Sequence, residues 1–484
     1  MNMMKKLLSI IFLLVCINVN AQQVQPPYAA RINRILKQLP AGNQQQLDSC
    51  MMQIKALGAA GLTEMAVMLH APGKGDNTRL QYALSGYATY ISAASREEMR
   101  KTAILAWSKA LKLTTQPESK IFLIDQLQLF GDKSVVPVLK QYLLQPRFCD
   151  PAVRVLMQIG GSEALIAMEA ALEKAQGTCE ISLIKALGDL RYLAAENGII
   201  KRAQSENPVL RRTALFALAN IVGGDSGPIL EAAAEKVGYG YDITGATAAY
   251  LLFVANLGHQ WPTAPAMTAA TNILRKCKGD SLEHVRIAAL KIVADILDYD
   301  ANNTLMLAAD SKDREYSAAA LALAVKIMNA ANAESWIQKA ERVDAGKKAA
   351  IITMLADSKQ RAAISLFTKA LKDSDPQVRM AAINAAGQLQ SIEMISPLLV
   401  AMKTADTSTV KAIGDVLLTI RSSEVPGHIA VAMQHAPPSV QVILLQLLAQ
   451  KQAAGQERFI RLLLNNPDPA VAQAAKSTLS AIGL

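Results

Sequence analysis

The sequence predicts an all-α protein, a right-handed α-α superhelix of roughly thirteen stacked helical hairpins. Two observations predict this class. A short motif that starts a helix returns about every 31 residues, and the composition is rich in Ala and Leu with only 5% aromatic residues. Packed short helices have this composition. A single hairpin cannot bury both of its apolar faces, whereas a stack of hairpins buries a continuous core.

The motif has a mechanical reason at each position. Residues 375–379 read Asp-Pro-Gln-Val-Arg, and related sequences stand at 150–154, 207–211 and 468–471. The leading Asp or Asn can accept hydrogen bonds from the free N–H groups of a helix N-terminus. Pro fits the first helical position, where its missing N–H costs nothing. Each copy therefore predicts the start of the first helix of a hairpin.

The spacing of these starts is steady in the C-terminal half. From Glu283 the second position of the motif recurs in steps of 31, 31, 31, 32, 30 and 31 residues, at Arg314, Ala345, Pro376, Ser408, Pro438 and Pro469. Small residues such as Ala381, Ala382 and Ala385 follow at helical spacing and let neighbouring helices approach closely. A polar turn then leads to a second helix, for example at residues 395–399.

These residues resemble HEAT repeats, in particular the short PBS-lyase HEAT-like type of bacterial proteins. The resemblance covers residues 117–484, and residues 22–116 are interpreted as an N-terminal capping helix followed by degenerate repeats. It implies an α-solenoid that binds a protein partner, and it implies a ladder of Asp and Arg side chains along the stack. The ladder positions are Asp150, Arg154, Asn207, Arg211, Arg286, Asp375, Arg379 and Asp468.

The first 21 residues are predicted to be a Sec signal peptide. Lys5 and Lys6 precede an apolar stretch at 7–15, and small residues stand before Gln22. The apolar stretch is too short to cross a bilayer, and no later segment is long and apolar enough to do so. We therefore expect export to the periplasm or the extracellular space of a bacterium. The alternative is a lipoprotein lipidated at Cys16, which Val15 disfavours because lipoprotein signals usually have a small residue there.

Cysteine and charge patterns limit the possible partners. Cys149 and Cys179 stand at matching positions of successive hairpins, and in an oxidising compartment they either form a disulfide or remain free. No metal site is expected, because the sequence has no Cys-x-x-Cys pair and no Cys/His cluster. The formal charge of +10 falls to +8 without Lys5 and Lys6 and is dispersed along the chain. An exported protein rarely meets nucleic acid, so we expect none as a partner.

No catalytic motif was found. The sequence has no Gly-x-Ser-x-Gly elbow, no His-Glu-x-x-His and no phosphate-binding loop. Its five histidines are scattered; His428 and His435 are close in sequence, but two helical turns would separate them by about 10 Å. The sequence therefore predicts a protein that is not an enzyme and has no cofactor. An enzyme with a site on the concave face is kept as an alternative.

Aromatic residues, rare in this chain, cluster where the repeat spacing opens. The steps from Pro208 to Ile243 and from Ile243 to Glu283 are 35 and 40 residues, and they contain the aromatic and His residues Tyr239, Tyr241, His259 and Trp261. One interpretation is a recognition patch for a glycan or a partner. A glycan-binding or accessory role in carbohydrate processing follows from it as an alternative function. The other interpretation is that these rings fill a bend in the stack.

Basic residues form a second candidate surface. The cations predicted to lie on second helices near the C-terminus are Lys369, Lys372, Lys403, Arg458 and Arg461. Second helices usually line the concave face of such a stack, where clustered cations would attract an acidic partner. The alternative is an ordinary solvated surface. The leading hypothesis is a non-enzymatic envelope scaffold that binds a protein through its concave face.

Overall fold

The computed structural model describes residues 27–484 except Trp261, and within those residues it contains helices and turns but no strand. The predicted all-α class of stacked helical hairpins is confirmed. Residues 1–21, including Cys16, lie outside the described residues, so the predicted signal peptide stays a prediction. The described chain divides into two compact units. One comprises the residues up to Glu235 with Tyr241–Phe253, and the other comprises Lys236–Gly240 with Val254–Leu484.

The first unit begins with a single helix and continues as helical hairpins. Its helices are α1 (Ala29–Leu36), α2 (Gln44–Lys55), α3 (Gly58–Val67), α4 (Thr78–Ile91), α5 (Glu97–Leu113), α6 (Pro117–Phe130), α7 (Val136–Leu139), α8 (Cys149–Ile159), α9 (Gly161–Leu172), α10 (Gly177–Asp189), α11 (Glu196–Arg202), α12 (Pro208–Ile221) and α13 (Ser226–Lys236). Helix α14 (Ala246–Gly258) contributes its residues up to Phe253 to this unit. Helix α1 lies where the sequence predicted the N-terminal helix.

The second unit repeats the hairpin with greater regularity. Its remaining helices are α15 (Ala264–Lys276), α16 (Glu283–Leu297), α17 (Asn302–Ala308), α18 (Arg314–Lys326), α19 (Ala330–Ala340), α20 (Ala345–Asp357), α21 (Ile364–Ala370), α22 (Pro376–Leu389), α23 (Ile395–Met402), α24 (Thr407–Thr419), α25 (Val425–Met433), α26 (Pro438–Gln450), α27 (Glu457–Arg461) and α28 (Pro469–Ala481). Even-numbered helices from α16 are first helices, and the odd-numbered helices between them are second helices.

First helices contact first helices along each unit. In the first unit the series α4, α6, α8, α10 and α12 is in contact from one helix to the next, and in the second unit the series from α16 to α28 is likewise in contact. Second helices α23, α25 and α27 also contact one another in order. Each hairpin therefore buries its apolar faces against the previous and the next hairpin, as the repeat predicts.

The repeat is more regular than the sequence motif indicated. First helices begin at Glu283, Arg314, Ala345, Pro376, Thr407, Pro438 and Pro469, each 31 residues after the last. The prediction placed one start at Ser408, which is wrong by one residue. Asp406 accepts a hydrogen bond from the backbone N–H of Thr409 at 2.9 Å and so fixes the start at Thr407.

In the middle of the chain, helix α14 begins later than predicted. Asp242 accepts hydrogen bonds from the backbone N–H groups of Thr244 and Ala246, at 2.8 and 3.0 Å, before α14 starts at Ala246. Because the motif was aligned at Ile243, the predicted start was three residues early. The first-helix starts at Pro208, Ala246 and Glu283 are therefore 38 and 37 residues apart, so the irregularity is shared evenly between two hairpins.

A continuous core fills the second unit. Buried side chains from Leu290 to Leu479 form one hydrophobic cluster, in which Trp336 and Phe367 are fully buried. The indole Nε1 of Trp336 donates to Asn302 Oδ1 at 2.8 Å, so this large side chain keeps its hydrogen bond inside the core. In the first unit Trp107 is also fully buried.

Small residues allow first helices to approach closely, as expected from the sequence. Gly188 of α10 faces Ala217 of α12, and a Cβ added at Gly188 would lie 2.6 Å from both the Cα and the Cβ of Ala217. Such a distance is far inside normal van der Waals contact, so only glycine fits at this position.

Candidate functional site

A cavity of about 710 Å³ opens on the second helices of the last hairpins of the second unit. Its lining comes from α23, α25 and the segment around α27. The lining residues are Ser396, Leu399, Val400, Lys403, Glu424, Gly427, His428, Val431, Ala432, His435, Gln456 and Phe459. We call this cavity the second-helix groove. Its walls are mostly apolar, and its few polar groups are spaced between them.

The 31-residue repeat places exposed apolar side chains in register beside this groove. Val400, Val431 and Leu462 occupy the same position in three successive hairpins and are 54%, 60% and 64% exposed. Large apolar side chains at a recurring, solvent-facing position do not serve the core. A contiguous exposed apolar surface of this kind commonly marks a binding site.

One hydrogen bond and one ion pair lie inside the groove. Ser396 Oγ lies 3.1 Å from His428 Nδ1, and His428 Nε2 lies 3.8 Å from Glu424 Oε2. The order Ser, His, Glu is that of a hydrolytic triad. However, the second distance exceeds a hydrogen bond, so Glu424 does not orient the imidazole as a general base requires. The arrangement positions His428 at the groove wall, and it does not by itself support catalysis.

The predicted cations divide into two groups. Lys369 pairs with Glu341 at 3.2 Å and Arg461 pairs with Glu457 at 2.5 Å, both at the surface. Lys372, Lys403 and Arg458 form no ion pair with any described residue. Lys403 lines the groove, and Arg458 is exposed next to Phe459 in sequence. The structure therefore brings one of the five predicted cations into the groove and a second one beside it.

The predicted aromatic residues have different environments. Tyr239 is only 6% exposed, and Lys276 Nζ lies 6.0 Å from its ring centroid, so little of this ring is available for stacking. Tyr241 is 93% exposed, and His259 is also exposed. Trp261 lies outside the described residues. The recognition patch thus stays a prediction that depends mainly on Tyr241.

The predicted ladder exists at two steps of the second unit. Arg286 of α16 pairs with Asp313 at 3.5 Å, and Arg379 of α22 pairs with Asp406 at 3.6 Å. In both cases the arginine contacts the Asp that precedes the next first helix. At the equivalent position Lys348 pairs with Asp373 at 2.6 Å. The ladder therefore joins consecutive hairpins, although the residue types vary.

Other ladder positions make contacts at the start of their own helix. Asp375 and Asp468 cap their own helices, as Asn207 does and as the motif predicts. Arg211 donates to the backbone carbonyl of Ser205 at 2.8 Å, in the turn before its own helix.

Asp150 lies inside α8, which begins at Cys149, and therefore does not cap it. It accepts a hydrogen bond from Ser182 Oγ of the next first helix at 3.2 Å and also pairs with Arg154. Arg154 contacts Asp125 of the preceding first helix at 2.9 Å. In this hairpin the Arg therefore points toward the previous hairpin and not toward the next one.

A pair of carboxyl groups lies beside one ladder step. A hydrogen bond between Glu283 and Asp313, together with burial, raises the pKa of Glu283 to about 7, and the same hydrogen bond lowers the pKa of Asp313. Arg286 stacks over the ring of Tyr316, with its guanidinium carbon 3.9 Å from the ring centroid. One proton shared by two carboxyl groups accounts for the opposite directions of these shifts.

The structure joins Cys149 to Cys179 in a disulfide, with Cα atoms 5.5 Å apart. The bond links the N-terminal turns of consecutive first helices α8 and α10. Cys50 and Cys277 are free and buried, and burial raises the pKa of both thiols.

The groove itself was not predicted from the sequence, although a signal was present. Writing the second helices under one another at 31-residue steps aligns Val400, Val431 and Leu462, and an apolar column next to charged positions would have stood out. Within the described residues no group of three His, Cys, Asp or Glu side chains is placed to hold a metal ion. None of the described helices combines the length and apolarity needed to cross a membrane.

Comparisons with known proteins agree with the helical-hairpin fold. A family model described as HEAT repeats matches residues 333–417. The search of curated proteins gives no significant match.

Three solved structures show weak similarity. The karyopherin Kap121p bound to the extreme C-terminus of the protein phosphatase Cdc14p is 13% identical, with 94% of this chain and 53% of that chain covered and a TM-score of 0.40. The Kap95p–RanGDP structure is 10% identical, with 94% of this chain and 66% of that chain covered and a TM-score of 0.38. Human deoxyhypusine hydroxylase in complex with glycerol is 14% identical, with 59% of this chain and 96% of that chain covered and a TM-score of 0.23. The chain thus spans about half of Kap121p. These similarities are too low to transfer a function.

Proposed function

We propose that this chain, in which residues 333–417 match a HEAT-repeat family model, is a non-enzymatic scaffold that binds a protein partner through the second-helix groove. The observation that carries the proposal is the exposed apolar column Val400, Val431 and Leu462, of which Val400 and Val431 line a cavity of about 710 Å³. Burial of these side chains by a partner would be favourable by about 25 cal/mol per Å² of apolar surface. Solvent exposure of the same side chains without a partner has no structural benefit.

The chemistry of the groove favours a protein over a small polar ligand. Apolar and small side chains form most of the lining, with isolated polar groups such as Lys403, His435 and Gln456 between them. Protein interfaces commonly have this pattern of an apolar centre with a polar rim. A small polar substrate would require several convergent hydrogen-bonding groups, which the Ser396–His428 pair alone does not provide.

We further propose that this binding takes place in the bacterial envelope. The support is the sequence of residues 1–21, which has the charge, apolar stretch and small residues of a Sec signal peptide. The measurement is mass spectrometry of the mature N-terminus after cell fractionation. Cleavage before Gln22 is expected, whereas an intact Met1 in the cytoplasmic fraction would remove this part of the proposal.

The experiment for partner binding is site-specific photocrosslinking in native cells. A photoreactive amino acid replaces Val431 in one variant and Leu307 in another. Leu307 occupies the same repeat position four hairpins earlier and is 74% exposed, but it does not line the groove. A protein crosslinked from position 431 and not from position 307 is the expected result.

Substitution then tests whether the groove supplies the affinity. Val431→Asp places an unpaired charge on the apolar column and should weaken binding of the crosslinked protein by about tenfold or more. Leu307→Asp should leave the affinity unchanged. Equal crosslinking from both positions, or equal affinity of both variants, would overturn the proposal.

One observation favours a second candidate function, which is glycan binding through Tyr241. Its ring is 93% exposed and could stack on a sugar face. Polysaccharide-retardation electrophoresis of Tyr241→Ala is the test, with Tyr299→Ala as control because Tyr299 is another exposed tyrosine, at 53%. Unchanged retardation in Tyr241→Ala would eliminate this candidate.

A further inference from the structure

We propose that the occupant of the second-helix groove is an amphipathic α-helix of the partner protein, with acidic residues beside its apolar face. This inference rests on the proposed function and adds the conformation and the charge of the bound segment. Three features of the groove carry it: the separation of its polar side chains by apolar ones, the spacing of the apolar column and the unpaired cations.

The first feature concerns the backbone of the bound segment. An extended peptide exposes N–H and C=O groups at every residue, and each group that is buried without a partner costs about 1–3 kcal/mol. Six of the twelve lining residues carry polar side chains, but these are spaced between Leu399, Val400, Val431, Ala432 and Phe459, so they do not form the continuous row of partners that an extended segment needs. A helix satisfies its own backbone groups and needs only apolar contacts from the groove.

The second feature is the spacing of the exposed apolar side chains. Val400 and Val431 lie on α23 and α25, and Leu462 directly follows α27; these successive second helices contact each other. Packed helices lie about 8–10 Å apart. Residues i and i+7 of an α-helix lie on one face and about 10.5 Å apart. A helix that crosses the three second helices can therefore place an apolar residue near each member of the column.

The third feature is charge. Lys403 lines the groove and Arg458 is exposed next to Phe459, and neither forms an ion pair with a described residue. Glu424 also lines the groove, so the acidic residues of the bound helix would lie beside Lys403 and Arg458 and away from Glu424. Carboxylates beside the apolar face of the bound helix would therefore pair with Lys403 and Arg458.

The test begins with a selection that does not assume a sequence. A phage-displayed library of random peptides is selected on the full chain, and peptides that also bind the Val431→Asp chain are discarded. The expected peptides carry apolar residues at seven-residue spacing and flanking Glu or Asp. Affinities are then measured by fluorescence anisotropy with labelled synthetic peptides.

Two changes separate the helix and the charge arguments. A proline between the apolar residues should weaken binding by about tenfold or more, because it breaks the helix. Lys403→Glu should weaken binding to a similar extent, and a peptide with Lys in place of its acidic residues should bind Lys403→Glu better than the unchanged chain. Lys372→Glu is the matched control, since Lys372 holds the same repeat position one hairpin earlier but does not line the groove.

The outcomes distinguish this inference from the proposed function. Groove-dependent peptides that tolerate proline, or that bind equally to the Lys403→Glu chain, would overturn the acidic-helix inference while partner binding at the groove stands. Failure to recover any peptide sensitive to Val431→Asp would also overturn it. The proposed function is decided separately, by crosslinking from position 431.

Discussion

Asn207 illustrates how a single side chain fixes the start of a helix. Its Oδ1 accepts hydrogen bonds from the backbone N–H groups of Val209 and Leu210, at 2.9 and 3.3 Å. Asn207→Ala leaves both N–H groups without this acceptor. We expect it to lower the free energy of unfolding by about 1 kcal/mol. Urea denaturation followed by circular dichroism measures the change.

Asn207→Ser is the control, because serine also accepts from these N–H groups and should cost only a few tenths of a kcal/mol. Equal stability of the alanine variant and the unchanged chain would show that water replaces the cap at no cost.

The shared proton of Glu283 and Asp313 predicts a pH dependence. The pKa of Glu283 is raised from 4.5 to about 7, first by its hydrogen bond to Asp313, then by burial and by the charges of Asp313 and Glu315. A carboxyl whose pKa is higher in the folded protein stabilises the fold fully below its unfolded pKa. That contribution is lost as the pH rises through about 7. The melting temperature should therefore fall between about pH 5 and pH 8, and it should fall less in Glu283→Gln.

Glu315→Gln is the matched control at this site, since Glu315 is exposed and has only a small influence on Glu283. Arg286 stays beside the pair in both variants and supplies the same favourable charge. Identical pH profiles of Glu283→Gln and Glu315→Gln would contradict a proton shared in the folded state.

Between elements, the Cys149–Cys179 disulfide connects the starts of α8 and α10 across a sequence separation of 30 residues. Closing a loop of this length reduces the conformational entropy of the unfolded chain. We expect the double substitution Cys149→Ser and Cys179→Ser to lower stability by about 3 kcal/mol. A reducing agent should lower the stability of the unchanged chain and leave that of the double variant unaffected.

A thiol count on the native protein provides an independent measurement. Protein taken from cells after removal of the signal peptide with Cys16, and denatured without reductant, should contain the free thiols of Cys50 and Cys277 only. Additional reactive thiols at Cys149 and Cys179 would show that the bond is absent, and they would also weaken the proposal of an oxidising compartment.

Helix starts were predictable from the sequence because they depend on local chemistry. The Asp or Asn before Pro208, Pro376 and Pro469 caps a helix whatever the rest of the fold does. The start at Thr407 was placed one residue late, at Ser408, although Asp406 caps this helix in the same way. Asp150 was assigned wrongly for a related reason, since its helix begins one residue before it.

The groove could not be predicted from local patterns in the same way. It depends on which side chains of adjacent second helices stay exposed, and that is decided by packing between hairpins. Val431 looks like a core residue in its own helix, yet it is 60% exposed. Lys403 and Lys372 hold equivalent repeat positions, but only Lys403 lies in the groove lining, and the repeat pattern does not distinguish them.

For the molecule as a whole, the constant 31-residue step in the second unit implies that hairpins are interchangeable. Removing residues 345–375 takes out one complete hairpin and places Asp344 directly before Pro376, where it can cap α22 as Asp375 does now. We expect this deletion to fold, with unchanged helicity per residue, and to keep the second-helix groove and its peptide binding. Removing residues 376–406 is the matched deletion of equal length, which places Asp375 before Thr407. It puts Lys369 and Lys372 at the repeat positions of Val400 and Lys403, so the apolar column loses Val400 while a lysine stays at the position of Lys403. It should fold equally well and lose binding, as measured by circular dichroism and fluorescence anisotropy. Unfolding of the first deletion would show that each hairpin fits only its own neighbours, and retained binding in the second would show that the groove lies elsewhere.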